Sequence, residues 1–206
     1  MPRVSDAHLA ARREQIVEAA TRCFARNGFH QTSMQDVIRE AGLSVGAFYR
    51  YFSSKDQLIR AIAEEKVGVI IATLDQLMRV EPAPPLHTVF AELLAQVDHN
   101  LGVDGPIRIA VQVWGEAAHD PTFAELIGGI YGRIRDAAVA LAARARDAGQ
   151  LAPGADPAAV GAVLVGLIQG YVIQRVLTGR VDRDVYLAGI AALTGGYGAR
   201  DAHEAS

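Results

Sequence analysis

Cysteine and tryptophan occur once each, as Cys23 and Trp114. A single thiol cannot close an internal disulfide, so the fold must rest on its core, and a reducing compartment is expected. Aromatic residues make up only 6% of the chain, and no long alternation of β-branched residues argues for strands. The opening MPRVSDAHLAARREQ lacks an apolar leader. The longest uncharged run, residues 157–174, is 18 residues long and carries Gln169, Gln174 and three glycines. A membrane span needs about 20 apolar residues, so this run is expected to be a buried helix of a cytoplasmic protein without membrane contact. Gly-rich phosphate loops, nucleophile elbows and metal motifs are also missing. The histidines are His8, His30, His87, His99, His119 and His203, and none stands four residues from a second ligand type. In Asp98-His99 and His119-Asp120 the neighbours would point apart on a helix. Neither an enzyme nor a cofactor or metal site is expected.

Half of the 206 residues are hydrophobic, mostly Ala and Leu, enough for a sizeable helical core. The net charge is −3, but it is unevenly spread. Residues 1–55 carry eight Lys/Arg against five Asp/Glu, and residues 56–206 carry 12 against 18. A basic front on an acidic body suits a protein whose first part meets a polyanion.

Turn-forming clusters near residues 27–28, 42, 53–54, 81–85, 102–106, 119–121, 148–156 and 178–183 divide the chain. The spacing predicts helices over 6–27, 34–41, 45–52, 55–80, 86–101, 106–118, 122–148, 158–177 and 183–194. The 55–80 helix, about 39 Å long, carries the stripe Leu58, Ile62, Val69, Thr73, Leu77 and Val80. In Asp120-Pro121 and Asp156-Pro157 the Asp can cap and the Pro fits the first helical turn.

The most informative segment is TSMQDVIREAGLSVGAFYRYFSSKDQLI, residues 32–59. Ser33 can cap the first short helix, with Asp36 as capping-box partner. Gly42 allows the sharp turn between two helices, and Ser44 can cap the second. Phe48 and Phe52, at i and i+4, face inward. Val45, Gly46, Ala47, Tyr49, Arg50 and Tyr51 are left facing a partner. A helix with a small N-terminus lets its backbone approach base edges in a major groove. Val45 and Ala47 offer methyls to thymine, Arg50 can reach guanine or phosphate, and Tyr49 and Tyr51 can donate to phosphates. Lys55, Ser33 and Thr32 are further phosphate candidates.

Gly28-Phe29, Thr32-Ser33, Asp36-Val37-Ile38, Ala41-Gly42-Leu43-Ser44, Gly46, Tyr49, Phe52 and Ser54-Lys55-Asp56-Gln57-Leu58 resemble the N-terminal signature of TetR-type repressors. The resemblance covers about residues 10–60, without a gap. It implies an all-α protein with an N-terminal three-helix DNA-binding lobe containing the helix-turn-helix (residues 1–55). A larger helical ligand-binding and dimerisation lobe (56–206) follows. It further implies phosphate contacts from Ser33, Tyr49 and Lys55, and base contacts from Val45, Ala47 and Arg50. Val45 is apolar where family members often carry a polar or basic side chain, so methyl contacts and DNA shape would share the base reading.

In the body, Ala162, Gly166 and Gly170 recur every four residues, and Leu126, Ile130, Ile134, Ala137, Ala138 and Leu141 form a second stripe. Helices 122–148 and 158–177 are therefore expected to pair with their copies in a homodimer, as a palindromic double-stranded operator requires. The stripes could alternatively pack within one chain. The resemblance also implies a pocket for a hydrophobic small-molecule effector, with Phe90, Leu94, Val111, Trp114, Tyr131, Gln169 and Ile173 as candidates. Effector binding would shift helix 106–118, and the 55–80 helix would carry the shift to the DNA lobe. A body that binds a protein partner, and an activator rather than a repressor, remain open alternatives.

Overall fold

Every stretch expected to be helical forms a helix in the computed structural model, which describes residues 6–102 and 105–194, and only the backbone of Thr122, Leu126 and Thr194. The elements are α1 (Asp6–Asn27), α2 (Met34–Ala41), α3 (Val45–Tyr49), α4 (Lys55–Leu77), α5 (Leu86–His99), α6 (Pro106–Ala117), α7 (Pro121–Asp147), α8 (Pro157–Thr178) and α9 (Arg183–Thr194). The fold is all-α, with no strand among the described residues.

Short-range chemistry sets most of the boundaries. Ser33 and Ser44 are N-caps in extended backbone, and each accepts a hydrogen bond from the third residue after it. Asp156 caps α8 by accepting from Ala158 N–H at 3.0 Å, with Pro157 following it. Gly42 ends α2 at φ 65°, a left-handed conformation that costs a glycine little.

Helices α3 and α4 each end three residues earlier than expected. In α3 the amides of Tyr51 and Phe52 both donate to the Phe48 carbonyl, at 2.9 and 3.4 Å. The chain tightens after Tyr49, and Phe52 turns into the core with 4% of its surface exposed. Helix α4 stops at Leu77, where the Arg144 guanidinium donates to Leu77 O at 2.9 Å and also to Val80 O.

The helices form two compact units that are not consecutive in the chain. The first joins the described residues up to Lys66 with those from Asn100 to Ile127; the second joins Val67–His99 with the described residues from Gly128 onward. The boundary expected at residue 55 does not coincide with this division: α6 packs against α1, and Phe123 of α7 lies against Phe29 in the loop after α1. The predicted α4 stripe also changes face. Leu58 and Ile62 are buried as expected, but Val69 is 53% exposed and Val80 47%, while Val67 and Leu74 are buried instead. One stripe assumes one packing partner, whereas α4 passes from one unit into the other.

The first unit centres on Ile16, Phe24, Val37, Phe48, Leu58, Ile59, Ile109 and Val113, all buried. In the second, α5 packs against α8 and α9, with Phe90, Leu94, Leu164, Tyr171, Val172 and Ile190 buried. Tyr171 O–H donates to Asp98 at 2.7 Å, and Arg175 pairs with the same carboxylate at 3.2 Å. Helices α7 and α8 meet where Gly161 lies against Val139: a methyl group there would stand 2.9 Å from the Val139 nitrogen.

Helix α8 is long and apolar enough to cross a membrane by length and composition. Only Gly161, Leu164, Tyr171 and Val172 of it are buried within the chain. The expectation that this whole apolar helix is buried therefore needs correction at the level of one chain. Its outer face includes Val163 at 61% and Leu177 at 73% exposure.

Candidate nucleic-acid interface

The surface around α3 is built from the inside. Phe48 is fully buried and Phe52 nearly so, and the Arg13 guanidinium lies 5.5 Å from the Phe52 ring centre. With these two rings anchored, the opposite face of α3 must turn outward. Val45 is 58% exposed and Tyr49 45%. Ser44, Gly46 and Arg50 are exposed too, while Ala47 and Tyr51 are half-buried.

Ser33 begins the neighbouring element. Its hydroxyl accepts from Asp36 N–H at 3.2 Å and donates to the Asp36 carboxylate at 2.6 Å, which in turn accepts from Ser33 N–H at 2.9 Å. The hydrogen bond from the Ser33 hydroxyl, then that from its amide, holds the Asp36 carboxyl below its ordinary pKa. Ser33 stays exposed and belongs to the same unit as α3.

Two of the sequence-predicted residues are committed inward. Thr32 is fully buried. Its hydroxyl donates to Gly28 O at 2.8 Å and to Cys23 O at 3.2 Å, so it satisfies the end of α1 instead of facing a phosphate. Lys55 is half-buried. Its ammonium donates to Phe29 O at 3.0 Å and Thr32 O at 2.9 Å and lies 4.7 Å from the Phe29 ring centre. Two of its three N–H groups are thus used within the protein. Sequence reasoning also missed Gln112 on α6, which accepts from Phe29 N–H at 3.0 Å. No local signal could have revealed a partner 83 residues away.

The chain matches the family described as bacterial regulatory proteins, tetR family, over residues 16–62. It also matches the BetI-type transcriptional repressor, C-terminal family over residues 91–195, about half of the chain. The chain belongs to the TetR family of transcriptional regulators. It is 45% identical over 65 residues to the HTH-type transcriptional repressor Rv1474c of Mycobacterium tuberculosis, a match that covers 32% of this chain and only 35% of that protein. It is 26% identical over 189 residues to the HTH-type transcriptional regulator UidR of Escherichia coli, covering 89% of this chain and 91% of UidR. Its fold resembles that of the regulator FadR from Bacillus subtilis, solved in complex with stearoyl-CoA, with a TM-score of 0.73, 17% identity and coverage of 88% and 96% of the two chains.

The segment matched by the first family, residues 16–62, includes the exposed α3 face. The residues suggested for an effector pocket belong to both units. Val111 and Trp114 sit on α6 in the first unit; Phe90, Leu94, Tyr131, Gln169 and Ile173 lie in the second. Gln169 and Tyr131 are brought together, the amide donating to the phenol oxygen at 2.5 Å. Burial raises the Tyr131 pKa above its ordinary value, and the Gln169 hydrogen bond opposes that. Phe90 and Leu94 are core residues, whereas Ile173 is 37% exposed on the outer face of α8.

Proposed function

We propose that this TetR-family chain is a homodimeric repressor that binds a palindromic operator and is released by a hydrophobic small molecule. The exposed α3 face carries this reading. Val45, Ala47 and Arg50 would meet base edges in the major groove, and Tyr49, Tyr51, Ser33, Ser44 and the remaining Lys55 N–H would meet phosphates. Gly46 would let the backbone come close.

Helix α3 has five residues, too few to read a specific site alone, so a second copy is needed. The outer faces of α8 and α9 suit that contact. Val163 and Leu177 are exposed on α8, and Val185 at 71% and Leu193 at 78% on α9. The small residues Ala162 and Gly166 lie on the same open side of α8, where another helix could approach closely. Of the expected α7 stripe, Ile134 and Ala137 are half-buried. Ile130, Ala138 and Leu141 are buried within their own chain, which favours α9 over α7 beside α8 in the proposed dimer; the Leu126 side chain lies outside the described residues.

The effector reading is supported by the Bacillus subtilis neighbour, which was solved with stearoyl-CoA. In this chain, Tyr131 and Gln169 offer a paired polar group in the second unit. Such a ligand must bind the low-affinity state preferentially, or the equilibrium does not move.

Selection of bound fragments from random duplex DNA by the purified protein tests the proposal. It should return a two-fold symmetric site with half-sites about one helical turn, 34–36 Å, apart. Recovery of no sequence, together with no binding at low salt, would remove the regulator reading.

A further inference from the structure

The loop between α1 and α2 has to place Ser33, and through its cap the first turn of α2. Its backbone groups are held by side chains from two distant helices. Lys55 on α4 grips the Phe29 and Thr32 carbonyls. Gln112 on α6 holds the other end of the same residue, accepting from Phe29 N–H at 3.0 Å and donating to the Phe24 carbonyl at 3.4 Å. One side-chain amide thus bridges the last turn of α1 and the start of the loop. One turn further along α6, on the same face, Glu116 pairs with His30 at 2.7 Å. The Phe29 ring is flanked by Phe24, at 5.7 Å between centres, and by Phe123 at 5.2 Å.

We infer that Gln112, supported by Glu116, is a positioning residue of the DNA interface: it sets the 29–32 loop and hence the Ser33 end of α2, without touching DNA itself. The inference rests on the operator-binding reading above. Phe29 is gripped from α4 at its carbonyl and from α6 at its amide, so freeing either end lets the loop swing about the other. Ser33 follows directly on Thr32, so loop movement is passed to its cap. The route runs from α6 to the DNA-binding helices within one unit and does not use the length of α4.

The test uses the full chain with Gln112→Met, which keeps the side-chain length and removes both hydrogen bonds. Binding to the duplex recovered by wild-type protein is measured by fluorescence anisotropy across a salt series. Hydrogen exchange at the Phe29 amide is followed in parallel. The expected result is faster Phe29 exchange and about tenfold weaker binding, the size of one to two lost hydrogen bonds. The slope of log K against log salt should also become shallower by about one, as for one lost phosphate contact. A purely stabilising Gln112 would leave that slope alone. Unchanged exchange, or faster exchange with unchanged affinity and slope, overturns the inference. Glu116→Ala decides if Gln112→Met does not fold: it should shift the slope the same way with a two- to threefold loss, and no shift overturns the inference. Failure of the wild-type protein to bind any duplex is a separate outcome, since it strikes the operator-binding reading on which the inference rests.

Discussion

Asp98 ties α5 to the end of α8, and replacing it by alanine exposes what that tie contributes. Tyr171 is fully buried and donates to the Asp98 carboxylate at 2.7 Å. Arg175 pairs with it at 3.2 Å through side chains that are 29% and 24% exposed, and Arg183 approaches to 3.9 Å with 41% of its side chain exposed. Leaving a buried phenol unpaired costs about 1–3 kcal/mol. The partly buried Arg175 pair adds about 1 kcal/mol, and the more exposed Arg183 contact adds little. Asp98→Ala should therefore lose about 2–4 kcal/mol, or roughly 5–15 °C in Tm for a chain of this size. Burial first, then the bond to Asp98, pushes the Tyr171 pKa from 10.0 to about 12. A neutral phenol favoured by folding contributes stability that is fully present below pH 10 and lost as pH rises towards about 12. That gap of about two units corresponds to roughly 3 kcal/mol. Urea denaturation from pH 8 to 12, with tyrosinate absorbance followed in parallel, reads both effects. Tyr171→Phe should flatten the alkaline decline, and Asp98→Ala should add little to it in a double-mutant cycle. A loss under about 0.5 kcal/mol for Asp98→Ala, or Tyr171 ionising together with exposed tyrosines, refutes the reasoning.

Arg50→Ala should alter which duplexes are preferred, by about 1–3 kcal/mol per lost base contact; repeated selection with the variant checks this, and an unchanged preference removes Arg50 from the reading face. Tyr49→Phe should weaken all duplexes alike and flatten the salt dependence, which anisotropy against random-sequence DNA would reveal. Gly161→Ala would put a methyl 2.9 Å from the Val139 backbone nitrogen, which cannot yield as a side-chain tip could, so thermal denaturation should show a loss of about 1–3 kcal/mol. Val163→Glu with Leu177→Glu should convert a dimer to a monomer in sedimentation velocity while leaving the helical circular dichroism intact.

Much of the architecture was already decided in the order of residues. Ser33, Ser44 and Asp156 act as caps, Gly42 turns the chain, and Phe48 with Phe52 anchors α3 so that Val45, Tyr49 and Arg50 face out. All of these operate over three or four residues, where hydrogen-bond geometry and helical periodicity depend on neighbours alone. Only the tertiary structure decided between Thr32 and Ser33, adjacent hydroxyls of similar chemistry, one spent on the end of α1 and the other left at the surface. It likewise turned Lys55 onto the loop carbonyls, joined α6 to the loop after α1 through Gln112, and used Ile130, Ala138 and Leu141 inside their own chain. Each of these outcomes depends on which distant segment returns to fill a given space and satisfy a given polar group, and no local pattern carries that information.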